Sequence, residues 1–77
     1  MKIVSLSELR VGESAIIEEI TDQWSSIKLI EMGCLPGEKV TVKLAAPFHD
    51  PIAIEVCGNL ISLRKDEAHS ILVKILP

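Results

Sequence analysis

Two short runs, Ile52 to Cys57 and Leu60 to Arg64, alternate apolar and polar residues and are separated only by Gly58-Asn59. A two-residue link of that composition suits the positive φ angles of a tight turn, so the runs are expected to pair as an antiparallel hairpin. A turn centred there sets Cys57 opposite Leu60, Val56 opposite Ile61 and Ile54 opposite Leu63. Ile52, Ile54, Val56, Ile61 and Leu63 then share the core face, while Ala53, Glu55, Cys57, Leu60, Ser62 and Arg64 share the outer one.

Three further runs read as strands. Residues 39–44 alternate cleanly and are expected to turn Val40, Val42 and Leu44 inward. Ile71, Val73 and Ile75 do the same at the end of the chain. Along residues 13–20, Ala15 and Ile17 keep the two-residue period but Ile20 does not. Holding all three inward requires one extra residue at Glu18-Glu19, a bulge of the kind found at barrel corners. The apolar content is 48%, with one Phe, one Trp and no Tyr, so the core is aliphatic and suits strands. A chain of 77 residues is expected to form a single domain, residues 1–77, that buries about 60% of its unfolded surface.

Helical signals are fewer. Ser5 or Ser7 can cap a short turn that carries Leu6 and Leu9 on one face, ended by Gly12. Asp22 can cap a helix from about Gln23 to Met32, stopped by Gly33. Ser25, Leu29 and Met32 lie on one side of it, and Trp24, Ile27 and Ile30 round the other. A small barrel covers one face of a surface helix, so the second set is either deeper core or a docking surface. Cys34 follows the stop signal, where an apolar side chain packs back on Leu29. Leu35-Pro36-Gly37-Glu38 reads as a type II turn, residues 45–51 as a proline-bracketed loop, and residues 65–69 as a polar turn of helix.

Several function classes are disfavoured by what is missing. Net charge is −3 and the basic residues are scattered apart from Arg64-Lys65, so no stripe exists to grip a phosphate backbone. No run approaches the ~20 apolar residues of a spanning helix, and the N-terminus turns polar too soon for a signal peptide. A cytoplasmic protein is expected, with its two cysteines as free thiols.

Chemistry finds little support. Cys34, Cys57, His49, Asp50, Glu67 and His69 are the metal-ligand types, yet none has a spacing that places two donors on one ion. His49, Asp50 and His69 are the weak candidates, and Asp50 reads more simply as a cap for backbone N–H groups. Any transition-metal binding is expected to be weak, with no cofactor. Cys34 lies beyond a helix C-terminus, where the dipole opposes a thiolate, and no phosphate-cradling glycine pattern is present. No enzyme is expected.

In order, the segments LIEMGCLPGEKVTV, APFHDPIAIEV and ISLRKDEA make the chain, from Leu6 through Val73, resemble the FeoA family. Glu31, Met32, Gly33, Pro36, Gly37, Ala46, Pro47, Asp50, Pro51, Leu63, Arg64, Glu67 and Ala68 match its pattern. Lys28, His49 and Asn59 depart from it, standing where Arg, Gly and a bulky residue are frequent. The resemblance implies a mostly β, SH3-like five-stranded barrel with one helix of about ten residues between the first two strands and helical turns near both ends. Similar domains end the chains of iron-dependent repressors. It further implies a non-enzymatic adaptor of bacterial ferrous iron uptake, cytoplasmic and peripheral to the inner membrane, that binds and regulates the cytoplasmic GTPase portion of a membrane Fe(II) transporter.

On the residues themselves, the partner-binding candidates are Trp24, Ile27, Ile30, Phe48, Cys57, Leu60 and Arg64, because a barrel of this size cannot bury all of them. Arg64 is expected to pair with Glu55 or Glu67. A metal-binding or metal-sensing domain and a self-associating scaffold, including a homo-oligomer, remain the alternatives.

Overall fold

The structure is a computed structural model that describes residues 2–76, apart from the side chains of Trp24 and Ser25. Six strands form one antiparallel sheet: β1 (Ile3–Ser5), β2 (Ser14–Ile20), β3 (Lys39–Ala45), β4 (Ile52–Val56), β5 (Asn59–Leu63) and β6 (Ile71–Ile75). Their order across the sheet is β1-β6-β2-β3-β4-β5. Two helices interrupt them, α1 (Gln23–Glu31) and α2 (Lys65–His69), with 3-10 turns at Leu6–Glu8 and Pro47–His49. This is the mostly β, SH3-like class expected, in an open sheet with one strand more than the five anticipated. β1 carries no sequence signal because three residues are too few to display a two-residue period; it exists by pairing with β6, Val4 opposite Val73.

The aliphatic core lies on the sheet's inner face and unites Ala15, Ile17, Val40, Val42, Ile52, Ile54, Val56, Ile61, Leu63, Ile71 and Val73 with Leu6, Leu9, Leu29 and Cys34. The bulge in β2 is present: the register against β6 shifts between Ile17 and Glu19, leaving Glu18 as the extra residue. Glu18 then reaches Lys74 Nζ at 2.8 Å on β6, and Ile20 packs against the core.

A second bulge corrects an expectation. The register of β3 against β4 shifts between Val42 and Leu44, so Lys43 is the extra residue. From there the alternation inverts. Leu44, expected inward, is 63% exposed, and Ala45 takes the inner side opposite Ile52.

The hairpin register also differs from expectation. Val56 pairs with Asn59, Ile54 with Ile61 and Ile52 with Leu63, so the turn is Cys57-Gly58 and both its residues have positive φ, 51° and 77°. Glycine thereby takes the second position of the turn. The shift keeps every inner residue on its face but sets Ile52 against Leu63 rather than against Lys65, so the ladder closes with an apolar pair.

Candidate functional site

Gly33 and Cys34 show how local chemistry builds the site. Gly33 has φ 97°; its N–H donates to the Ile30 carbonyl at 3.0 Å, and the Cys34 N–H to the Leu29 carbonyl at 2.8 Å. This pair of bonds is the Schellman stop, in which a left-handed residue closes the helix and the next side chain folds back on it. Cys34 and Leu29 are both fully buried. Burial pushes the Cys34 thiol up from its ordinary value, with the neighbouring Cys57 thiol adding to the effect.

Cys57 sits at the hairpin tip and is exposed. Its Sγ–H donates to Glu38 Oε2 at 3.2 Å and lies 3.8 Å from the Gly33 carbonyl. The hydrogen bond to Glu38 pushes this thiol up as well, with desolvation and the Glu38 charge adding to it. Both sulphurs are therefore displaced away from the thiolate form that nucleophiles and metal ligands use.

Glu67 is a second hub, bonded to two elements. Its Oε2 accepts from Lys28 Nζ of α1 at 2.8 Å and its Oε1 from the Arg64 N–H at 3.0 Å. Those bonds, Lys28 first, hold its carboxyl below the ordinary carboxylate range. Lys28 thus ties α1 to α2, the helix that follows β5, while Gly33, just past the end of α1, lies beside the hairpin turn that precedes β5. Ile27 and Ile30 are left facing outward on α1, 62% and 45% exposed.

Leu60 is outward on β5, 63% exposed and opposite Glu55. Arg64 is exposed, and the pairing expected for it with Glu55 or Glu67 is corrected. Glu55 is instead near Lys43 and Glu67 holds Lys28, while Arg64, past the end of the ladder, reaches Glu67 through its N–H and, more weakly, through its charge. The Trp24 side chain lies outside the described residues.

The loop between β3 and β4 carries the remaining candidates. Phe48 is 99% exposed, with a left-handed backbone at φ 65° and ψ 17°. His49 follows at φ 61°. Asp50 caps a backbone donor, though a distant one: its Oδ1 accepts the Lys65 N–H at the start of α2, at 2.9 Å. His69 is exposed in the last turn of α2. Among the described residues, no three His, Cys, Asp or Glu side chains come together where an ion could sit.

Leu44 is an exposed apolar residue that the alternation of its strand places inward. Nothing in the run 39–44 signals it; only the need to set an inward residue opposite Ile52 reveals that β3 must bulge.

Among the described residues no helix is long and apolar enough to cross a membrane. A family profile described as the FeoA domain matches residues 4–75. The chain is 33% identical over 72 residues to an Fe(2+) transport protein A/Fe(2+) transporter FeoB fusion protein of Porphyromonas gingivalis, covering 92% of this chain and 8% of that curated relative's length. The solution structure of an FeoA-like protein from Clostridium acetobutylicum superposes with a TM-score of 0.91 at 32% identity, covering all of this chain and 91% of the other. A manganese-dependent transcriptional repressor shares the fold at 18% identity and a TM-score of 0.86, over 96% of this chain and 42% of its own. With the profile spanning nearly every residue and the fold reproduced alongside it, this chain belongs to the FeoA domain family.

Proposed function

We propose that this protein is a non-catalytic adaptor of ferrous iron transport that binds the cytoplasmic GTPase portion of a membrane Fe(II) transporter and regulates it. The observation that carries the reading is the relative in which a stretch similar to this chain is joined to an Fe(2+) transporter in one polypeptide. Covalent fusion makes an encounter intramolecular and raises its effective concentration, which benefits two modules that work in contact. A separate chain must achieve the same proximity through its surface.

That surface is suited to the task. Ile27, Ile30, Leu60 and Phe48 present apolar groups to solvent from a helix, a strand and a braced loop, and a few such anchors supply most of the affinity of a protein interface. The bound protein would sit at the cytoplasmic side of the inner membrane through its partner and needs no cofactor of its own.

The test is co-purification with the transporter's soluble cytoplasmic domain, loaded with GDP or a non-hydrolysable GTP analogue. Retention that Trp24→Ala and Ile27→Asp weaken is the expected result. Failure of the wild-type protein to be retained in either nucleotide state would sink the adaptor reading.

A further inference from the structure

Phe48 is where this chain departs furthest from what folding alone favours. Its ring is 99% exposed, so it adds nothing to the core. Its backbone, at φ 65° and ψ 17°, lies in the left-handed region that a bulky side chain avoids and glycine enters freely. His49 repeats that conformation at φ 61°. Local rules broken without a folding gain mark functional sites.

The loop that bears the ring is held at three points. The His49 N–H donates to the Ala46 carbonyl at 2.9 Å and the Ala46 N–H to the Pro51 carbonyl at 3.0 Å. The third tie is Asp50 Oδ1, which accepts the Lys65 N–H at 2.9 Å. The ring therefore stands on a rigid support, and a partner that receives it need not order the loop.

The third tie also sets what surrounds the ring. It brings the loop to Arg64 and Lys65, two exposed cations. Lys28, Lys43 and Lys74 each face a carboxylate, and the charge of Arg64 helps to lower the Glu67 carboxyl. The carboxylates of Asp50, Asp66 and Glu67 stand in the same neighbourhood, so the surroundings of the ring are mixed in charge.

We propose that Phe48 is the principal anchor of the docking surface and that it enters an apolar cleft on the transporter's cytoplasmic portion. The inference rests on the adaptor reading and deepens it by naming the anchor and the chemistry of its receptor. A protein cleft is favoured over an anionic lipid surface because one ring and two cations fall short of the roughly 4–8 clustered basic residues that lipid recognition takes.

Titration calorimetry with the transporter's soluble cytoplasmic domain, in GDP and in a non-hydrolysable GTP analogue, tests this. Phe48→Ser is expected to weaken binding at least about tenfold and Phe48→Tyr to stay within about threefold, as for an anchor whose apolar body carries the contact. Because Phe48 makes no packing contact, circular dichroism of the variants should match the wild type, which separates lost docking from lost fold.

Binding by wild type and Phe48→Ser within twofold would overturn the anchor while leaving the adaptor reading intact. No binding by wild type would remove both. Phe48-dependent capture by phosphatidylglycerol vesicles, without binding to the domain, would assign the ring to the membrane surface and overturn the proposed partner.

Discussion

Lys28 Nζ stands 2.8 Å from Glu67 Oε2, joining the helix that flanks the sheet to the helix that follows β5. Folding holds the Glu67 carboxyl below its ordinary range, chiefly through this bond and then through the Arg64 N–H. A group whose folded pKa is depressed adds stability above its unfolded pKa and loses it as pH falls through the folded value. Because the pair is exposed to solvent, Lys28→Met is expected to cost only about 0.5 kcal/mol at pH 7, vanishing in acid. Glu67→Gln also weakens a helix cap and should cost about 1 kcal/mol. Urea unfolding between pH 3 and 7 measures both, and equal losses at every pH would contradict the linkage.

The stop signal of α1 can be probed at Gly33. A Cβ added there would meet Cys57 at 3.9 Å, an ordinary contact, so Gly33→Ala is penalised by its backbone alone, about 1 kcal/mol. Cys34→Ser should be worse, about 2 kcal/mol, since it buries a hydroxyl in an aliphatic core. Chemical denaturation that ranks Gly33→Ala as the more damaging of the two would contradict this account.

The thiols should separate kinetically. A chromogenic disulfide reagent is expected to modify one cysteine per folded chain, Cys57, and to reach Cys34 only in denaturant, because Cys34 is buried. Glu38 is the main cause of the raised Cys57 value. Glu38→Gln should accordingly speed modification at pH 7.5 by several fold, since reaction proceeds through the thiolate. An unchanged rate would show that the Sγ–Oε2 bond does not persist in solution.

Bulging at Lys43 makes opposite predictions for two neighbours. Val42 is fully buried and Leu44 is 63% exposed. Val42→Ala should cost about 2 kcal/mol, and Leu44→Ser should lie within about 0.5 kcal/mol of wild type. Comparable losses at the two positions would mean that β3 runs without the bulge.

Phe48→Gly is expected to raise stability by about 1 kcal/mol, since it relieves a left-handed backbone without removing any packing. Thermal unfolding gives the comparison directly. The same variant should bind the transporter domain more weakly, and a stability gain accompanied by lost affinity is the trade-off expected of a site held in strain.

What the order of residues settled alone was local. Alternation sorted the inner and outer residues of the hairpin, the broken period at Ile20 announced the bulge at Glu18, and Gly33 followed by Cys34 specified a helix stop with a buried thiol. Each depends on steric and periodic rules that act within a few residues. Three features had to wait for the folded chain: the strand at Ile3–Ser5, the outward turn of Leu44 and the one-residue displacement of the hairpin turn. All three depend on what lies opposite, on β6 for β1, on Ile52 for the β3 bulge and on Leu63 for the hairpin register. The candidate site divides in the same way. Its apolar residues could be named from composition and spacing, but the bracing of Phe48 through Asp50 and Lys65 joins positions fifteen residues apart. Only tertiary contact brings those groups within hydrogen-bonding distance, because no periodicity in the chain encodes it.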